Sequence, residues 1–204
     1  MDAANMFSPQ TIVDWGGGGE PTLMPEFNWG FRLFNSECFI QWLHTNAVRM
    51  PDSIMDMTES LPKLNLLTSV DAGTSATYKL IKNSNAFEKV WSNLEGYKQR
   101  GASVTLKYLV TEENCQPQEI EAFIAHASAL GPASIVLDID YRKPQPSEPV
   151  LTGLVNLYRL AQNANIHCTY GSVGGNSALE YGVKEFIESR PILPQAPENK
   201  PLFI

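Results

Sequence analysis

Cysteine is scarce in this sequence. Three are spread over 204 residues, Cys38, Cys115 and Cys168, and such spacing argues against a disulfide framework. No apolar run approaches the ~20 residues of a membrane span, and no secretory signal opens the chain. Charge is also thin, at 18% of residues with a net of −7, so general attraction to nucleic-acid phosphates or anionic lipid is excluded. Histidine occurs three times, scattered as His44, His126 and His167. His126 rides a helix and is expected to face solvent, and none of the three is expected to act as a catalytic base. There is no internal repeat at a solenoid period. The balance points to a soluble, reduced, cytoplasmic protein. At 43% apolar residues the chain can bury a substantial core.

What the chain does have is glycine in one place. The β-branched and aromatic run 11–15 reads as a strand and stops at four glycines, Gly16 to Gly19, followed by Glu20 and Pro21. Glycine permits backbone conformations that other residues avoid, and a backbone without side chains lets a ligand approach its peptide groups. Glu20 adds a negative charge suited to an ammonium group. The glycines lack the spacing of a phosphate-binding loop or a dinucleotide fingerprint.

Strand and helix signals then alternate. Helical periodicity is expected over 25–35, 51–59, 75–81, 84–100, 117–130, 150–163 and 177–188, with Thr74 as an N-cap. Strands are expected over 39–44, 64–71, 104–110, 134–141 and 166–170. Residues 1–190 form one domain on this reading, and 191–204 a proline-rich tail. Strand–helix alternation repeated about six times implies right-handed crossovers and a parallel sheet, either open or barrel-like. Ligands in both architectures sit at the C-terminal ends of the strands. The polar clusters fall there: Gly16–Glu20, Thr45 with Asn46, Ser69 with Asp71, Asn114, and Asp138 with Asp140. Lys107 lies inside an apolar strand, where a charge needs a carboxylate or a polar cavity. Asp138 and Asp140 alternate with apolar neighbours, so both are expected on one inward face, as cavity residues or as partners for Lys107.

These stretches carry a resemblance. Gly-Gly-Gly-Gly-Glu-Pro at 16–21, Thr45-Asn46-Ala47, the segments 69–82, 87–101 and 104–114, and Ser-Ile-Val-Leu-Asp-Ile-Asp-Tyr at 134–141 together resemble the radical S-adenosylmethionine (radical SAM) superfamily. The resemblance starts at that family's second barrel strand and covers residues 11–170. It implies a partial (β/α)6 barrel that lacks its first β/α unit. It also implies that Gly18, Gly19, Glu20 and Pro21 hold the amino end of S-adenosylmethionine (SAM). Ser69 and Asp71 would contact its ribose, Lys107 and Asn114 its ribose or carboxylate, and the strand around 137–141 its adenine. Asp138 and Asp140 would then face the substrate cavity. The catalytic residue and the substrate, whether small molecule or peptide, are not named by the motifs.

Radical SAM enzymes hold a [4Fe–4S] cluster on a Cys-x3-Cys-x2-Cys loop ahead of the Gly-Gly-Glu-Pro step and use its electron to cleave SAM to a deoxyadenosyl radical. No cysteine precedes Gly16 here, so the cluster ligands are absent from these residues and no metal site is expected. The chain is then the major part of such an enzyme whose cluster unit lies elsewhere. The alternative is a cluster-free barrel that binds a ligand or partner without catalysis. An ordinary open sheet binding a phosphorylated metabolite ranks last. An unpaired first strand would further invite a partner chain or self-association along its edge.

Overall fold

The structure, a computed structural model, describes residues 11–36, 39–56, 61, 63–140 and 146–171. Its scaffold is six strands: β1 (Ile12–Trp15), β2 (Ile40–His44), β3 (Leu64–Ser69), β4 (Ser103–Val110), β5 (Ser134–Ile139) and β6 (Cys168–Tyr170). They form one sheet in the order β1-β2-β3-β4-β5-β6, every pair parallel. Spatial order follows chain order with no reversal. That is the singly wound pattern of a barrel wall, in which successive right-handed crossovers leave their helices on one side.

The helices between the strands are α1 (Phe27–Ser36), α2 (Asp52–Met55), α3 (Ser75–Lys82), α4 (Phe87–Gln99), α5 (Pro117–Leu130) and α6 (Glu148–Asn163). Burial alternates along the central strands with period two. On β4, Val104, Leu106, Tyr108 and Val110 are buried, while Ser103, Thr105, Lys107 and Leu109 are half-exposed. The helices therefore cover one face, and among the described residues the other is open. Phe123 of α5 lies 4.5 Å from the Tyr108 ring, and Trp91 of α4 lies 6.1 Å from Phe123. His126, expected to face solvent, is half-buried: its ring stacks on Trp91 at 4.9 Å and meets Phe87 edge-on at 5.3 Å. Its position on α5 puts it against α4, so the aromatic seam claims it.

Element ends follow local chemistry. α3 starts as expected, with Thr74 Oγ1 accepting from Thr77 N, and ends at Asn83 in the left-handed region. Gly131 does the same for α5 at φ +63°. Strand β3 stops at Ser69 rather than 71 because Asp71 has φ +57° and cannot continue an extended ladder. Ala86 N bonds back to Ser84 Oγ, so α4 begins at Phe87 instead of 84. On the first strand, Trp15 packs edge-on against Phe27 at 5.0 Å and its Nε1 donates to Gln41 Oε1 at 2.9 Å. Gly30 of α1 is required there, since a Cβ would sit 2.9 Å from the indole.

Among the described residues β1 pairs with β2 alone. Cys38, residues 57–60, Tyr141, the connector residues 143–145, the helix expected over 177–188 and the proline-rich tail lie outside the described residues. No helix of the described residues is long and apolar enough to cross a membrane.

Candidate functional site

At the C-terminal ends of β1 to β4 the open face forms a recess of about 580 Å³. Its lining includes Gly19, Glu20, Thr45, Ser69, Lys82 and Lys107. Four glycines lead into it, and they differ in what they do. Gly17 (φ +104°) and Gly19 (φ +88°) occupy backbone conformations that L side chains rarely adopt. The loop they turn delivers Glu20 to the recess.

Glu20 is the staple of the first wall. Its Oε1 accepts from Thr22 Oγ1 and Thr45 Oγ1, both at 2.7 Å, and from Thr22 N at 3.3 Å. Its Oε2 accepts from Asn46 N at 2.7 Å. The carboxylate thus caps the short 3-10 turn 21–23, with Pro21 buried at its first position, and ties that turn to the end of β2. Oε2 retains acceptor capacity toward the recess.

The second wall is organised by two lysine–aspartate pairs. Asp71 is 4% exposed, and its left-handed backbone aims the carboxylate back at its own strand. Oδ2 takes Ser69 Oγ at 2.6 Å and Lys82 Nζ at 2.5 Å, while Oδ1 takes Leu109 N at 2.7 Å. Lys107 lies beside Ser69 in register and reaches Asp138 Oδ2 on β5 at 2.7 Å. Asp138 is buried beneath Gly171, where any Cβ would come within 2.6 Å of its carboxylate. The strand-embedded lysine therefore has a carboxylate and a cavity together. Tyr78 also lines the recess, and burial, with the Asp71 carboxylate behind it, raises its phenol above the ordinary value.

Two of the residues singled out from sequence stand elsewhere. Asn114 is fully buried and does not reach the recess. Its Nδ2 donates to Asp71 O and Leu109 O, both at 2.9 Å, and its Oδ1 accepts from Thr111 N at 2.7 Å. With every side-chain group spent, it joins the two loops that frame the site. Asp140 falls one residue beyond β5 and lines a separate small cavity with Thr111, Glu112 and Ser147. It therefore does not share the face of Asp138, because the alternation ends with the strand. Gly18 is exposed in the loop, and a Cβ there would meet nothing within 4 Å.

Two residues of consequence are not assigned to the site from sequence: Glu119 is not singled out, and His44 is named only as not expected to act as a catalytic base. Glu119, in the first turn of α5, is 8% exposed and reaches the β3–α3 loop. It accepts from Gly73 N at 2.5 Å, Thr74 N at 2.9 Å and Thr74 Oγ1 at 2.9 Å. Gly73 is required because a Cβ would lie 2.1 Å from Glu119 O. His44, the last residue of β2, lines the recess beside Glu20, and its Nε2 stands 3.7 Å from Asp14 Oδ1.

The donor set of the described residues does not fit an iron–sulfur cluster. Among the described residues no group of three or more His, Cys, Asp or Glu side chains is placed to hold a metal. Cys115 is buried against Gly153 of α6, and Cys168 starts β6 at the strand end remote from the recess. Burial raises the Cys115 thiol and pushes Cys168 up to about 11, so both stay protonated at neutral pH. Cluster ligands must be thiolates that converge.

No family profile matches the chain, and no curated protein sequence matches it either. Solved structures do. A domain of pyruvate-formate lyase-activating enzyme from Bacteroides vulgatus superposes with a TM-score of 0.60 at 17% identity, covering 78% of this chain and 98% of that one. SuiB from Streptococcus suis bound to S-adenosylmethionine gives 0.58 at 10% identity over 78% of this chain and 37% of its own. An archaeal TYW1 gives 0.53 at 18% identity over 75% of this chain and 50% of its own. The chain thus spans about a third to a half of the length of the two larger enzymes. These superpositions show the fold: the chain is a six-stranded parallel α/β sheet with the fold of a partial radical SAM core.

Proposed function

We propose that the recess binds SAM, and that the chain is the larger part of a radical SAM core whose cluster is held by thiolates outside the described residues. Charge supports this reading. Three carboxylates in or directly behind the walls (Glu20, Asp71 and Asp138) face two ammonium groups (Lys82 and Lys107). The balance is one net negative charge. SAM at neutral pH carries a sulfonium, an ammonium and a carboxylate, for one net positive charge. The spare capacity of Glu20 Oε2 suits the ammonium, Ser69 offers a hydroxyl to the ribose, and Val48, Leu67 and the Tyr78 ring supply apolar surface for the base.

The single observation that carries the proposal is the Glu20 carboxylate, which lines the recess, is fixed by four hydrogen bonds and has only one of them on Oε2. Cleavage of SAM belongs to an assembly that adds cluster-binding thiolates to these residues. The test is isothermal titration of the purified chain with SAM. Saturable binding is expected, and Glu20→Gln should weaken it by about ten-fold or more, the cost of losing a charge-assisted hydrogen bond. Absence of any SAM binding to the folded wild-type chain would overturn the reading in favour of a cluster-free barrel with another ligand.

A further inference from the structure

Charged groups along the recess are almost all committed to the protein itself. Lys82 is tied to Asp71, Lys107 to Asp138, and Glu20 to the turn and to the end of β2. His44 is different. Its nearest carboxylate oxygen among the ion pairs of the described residues is Asp14 Oδ1, at 3.7 Å, beyond hydrogen-bond distance. Both side chains of this pair are substantially exposed, His44 at 45%.

The glycine run makes room for them. Gly16 has an ordinary backbone conformation, so φ does not explain it. A Cβ there would sit 3.0 Å from Asp14 Oδ1 and 3.3 Å from His44 Cγ. The first glycine is accordingly the space that the pair occupies.

His44 immediately precedes the two residues that grip Glu20, Thr45 through its hydroxyl and Asn46 through its N–H. We infer that His44, backed by Asp14, holds the carboxylate of the α-amino-acid end of the ligand whose ammonium sits on Glu20. This rests on the proposed SAM reading and adds a residue to it. An α-amino acid carries both charges on one carbon, so its two anchors must be neighbours. The lysines are not. Lys107 stands two strands from β2, about 9–10 Å at parallel-sheet spacing, and its partner Asp138 draws it a further strand away. Lys82 is drawn to the β3–α3 loop. With Nε2 on the Asp14 side at 3.7 Å, Nδ1 of His44 is left for the ligand.

The experiment titrates three probes into the wild-type chain and into His44→Ala, with His44→Gln and thermal melting as controls for folding. The probes are SAM, decarboxylated SAM and methylthioadenosine, which lacks the amino-acid end. His44→Ala should weaken SAM by about ten-fold and leave decarboxylated SAM and methylthioadenosine unchanged. Gly16→Ala should weaken SAM in the same direction. Glu20→Gln should weaken SAM and decarboxylated SAM alike, which separates the two anchors. Unchanged SAM binding in His44→Ala would overturn the assignment while leaving the SAM reading intact. An equal loss for all three probes would also overturn it, by showing a general effect on the recess. Failure of the wild-type chain to bind any of the three would overturn both.

Discussion

On the helix-covered side of β4, Leu106 and Tyr108 are sealed from solvent, while Lys107 between them keeps about a third of its side chain exposed on the other side. The same backbone thus serves two surfaces. One is packed by Tyr97, Phe123 and Leu157, all fully buried, and the hydrophobic effect sets its rules. The other carries Asn65, Ser69, Thr105, Lys107 and Asp138, whose arrangement is set by hydrogen bonds and ion pairs. The difference shows how stability and ligand binding divide in this fold. Truncation should cost stability on the covered face and binding on the open one.

The largest expected effect lies on the covered face. Leu106→Ala should destabilise by about 2–5 kcal/mol, while Thr105→Ala, one residue along and facing the other way, should change stability by less than about 1 kcal/mol. Urea denaturation of the two variants measures the contrast directly, and equal losses would break it. Gly73→Ala comes next. Its Cβ meets backbone atoms of α5, so relief requires the loop and helix to separate, at about 3 kcal/mol. The loss should appear both as a lower denaturation midpoint and as weaker ligand binding, because Glu119 would release the β3–α3 loop.

Lys107→Met is an intermediate case because it touches both faces of the argument. It leaves the Asp138 carboxylate buried without its partner, at about 1–2 kcal/mol once the partial exposure of the lysine is allowed for. The double variant Lys107→Met with Asp138→Leu should recover most of that stability yet remain poor at binding. Recovery of binding as well would contradict a ligand role for this pair. The smallest effects are in the glycine run. Gly17→Ala should cost about 1–2 kcal/mol through its positive φ, whereas Gly18→Ala, with open space around it, should be nearly neutral.

Much of the scaffold was legible. Period-two and period-3.6 patterns located every described strand and helix to within a few residues, and the polar strand ends pointed to the recess. Lys107 was read as needing a carboxylate or a polar cavity, and it has both, Asp138 and the recess. The misses have local causes. Asn114 carries the same polar signature whether it faces a ligand or ties two loops, and only three-dimensional closure of its bonds to Asp71 and Leu109 separates the cases. Glu119 looks like an ordinary first-turn acid of an amphipathic helix, and nothing nearby in sequence announces Gly73 as its partner.

His44 had a signal that inverted polarity concealed. On β2 the outward positions are Ile40, Trp42 and His44, while Gln41 is buried with the indole N–H of Trp15 as its partner. Hydrophobicity alone assigns the tryptophan to the core and the glutamine to solvent. The strand does the opposite, and the histidine goes with the tryptophan to the open face.

Amide hydrogen exchange with and without SAM tests the central claim most directly. Protection should appear in the loops after β1, β2 and β3, at residues 17–20, 45–47 and 69–74, with little change in α4, α5 and α6. Exchange unchanged in those loops at saturating SAM, or protection confined to the helix-covered side, would contradict the account.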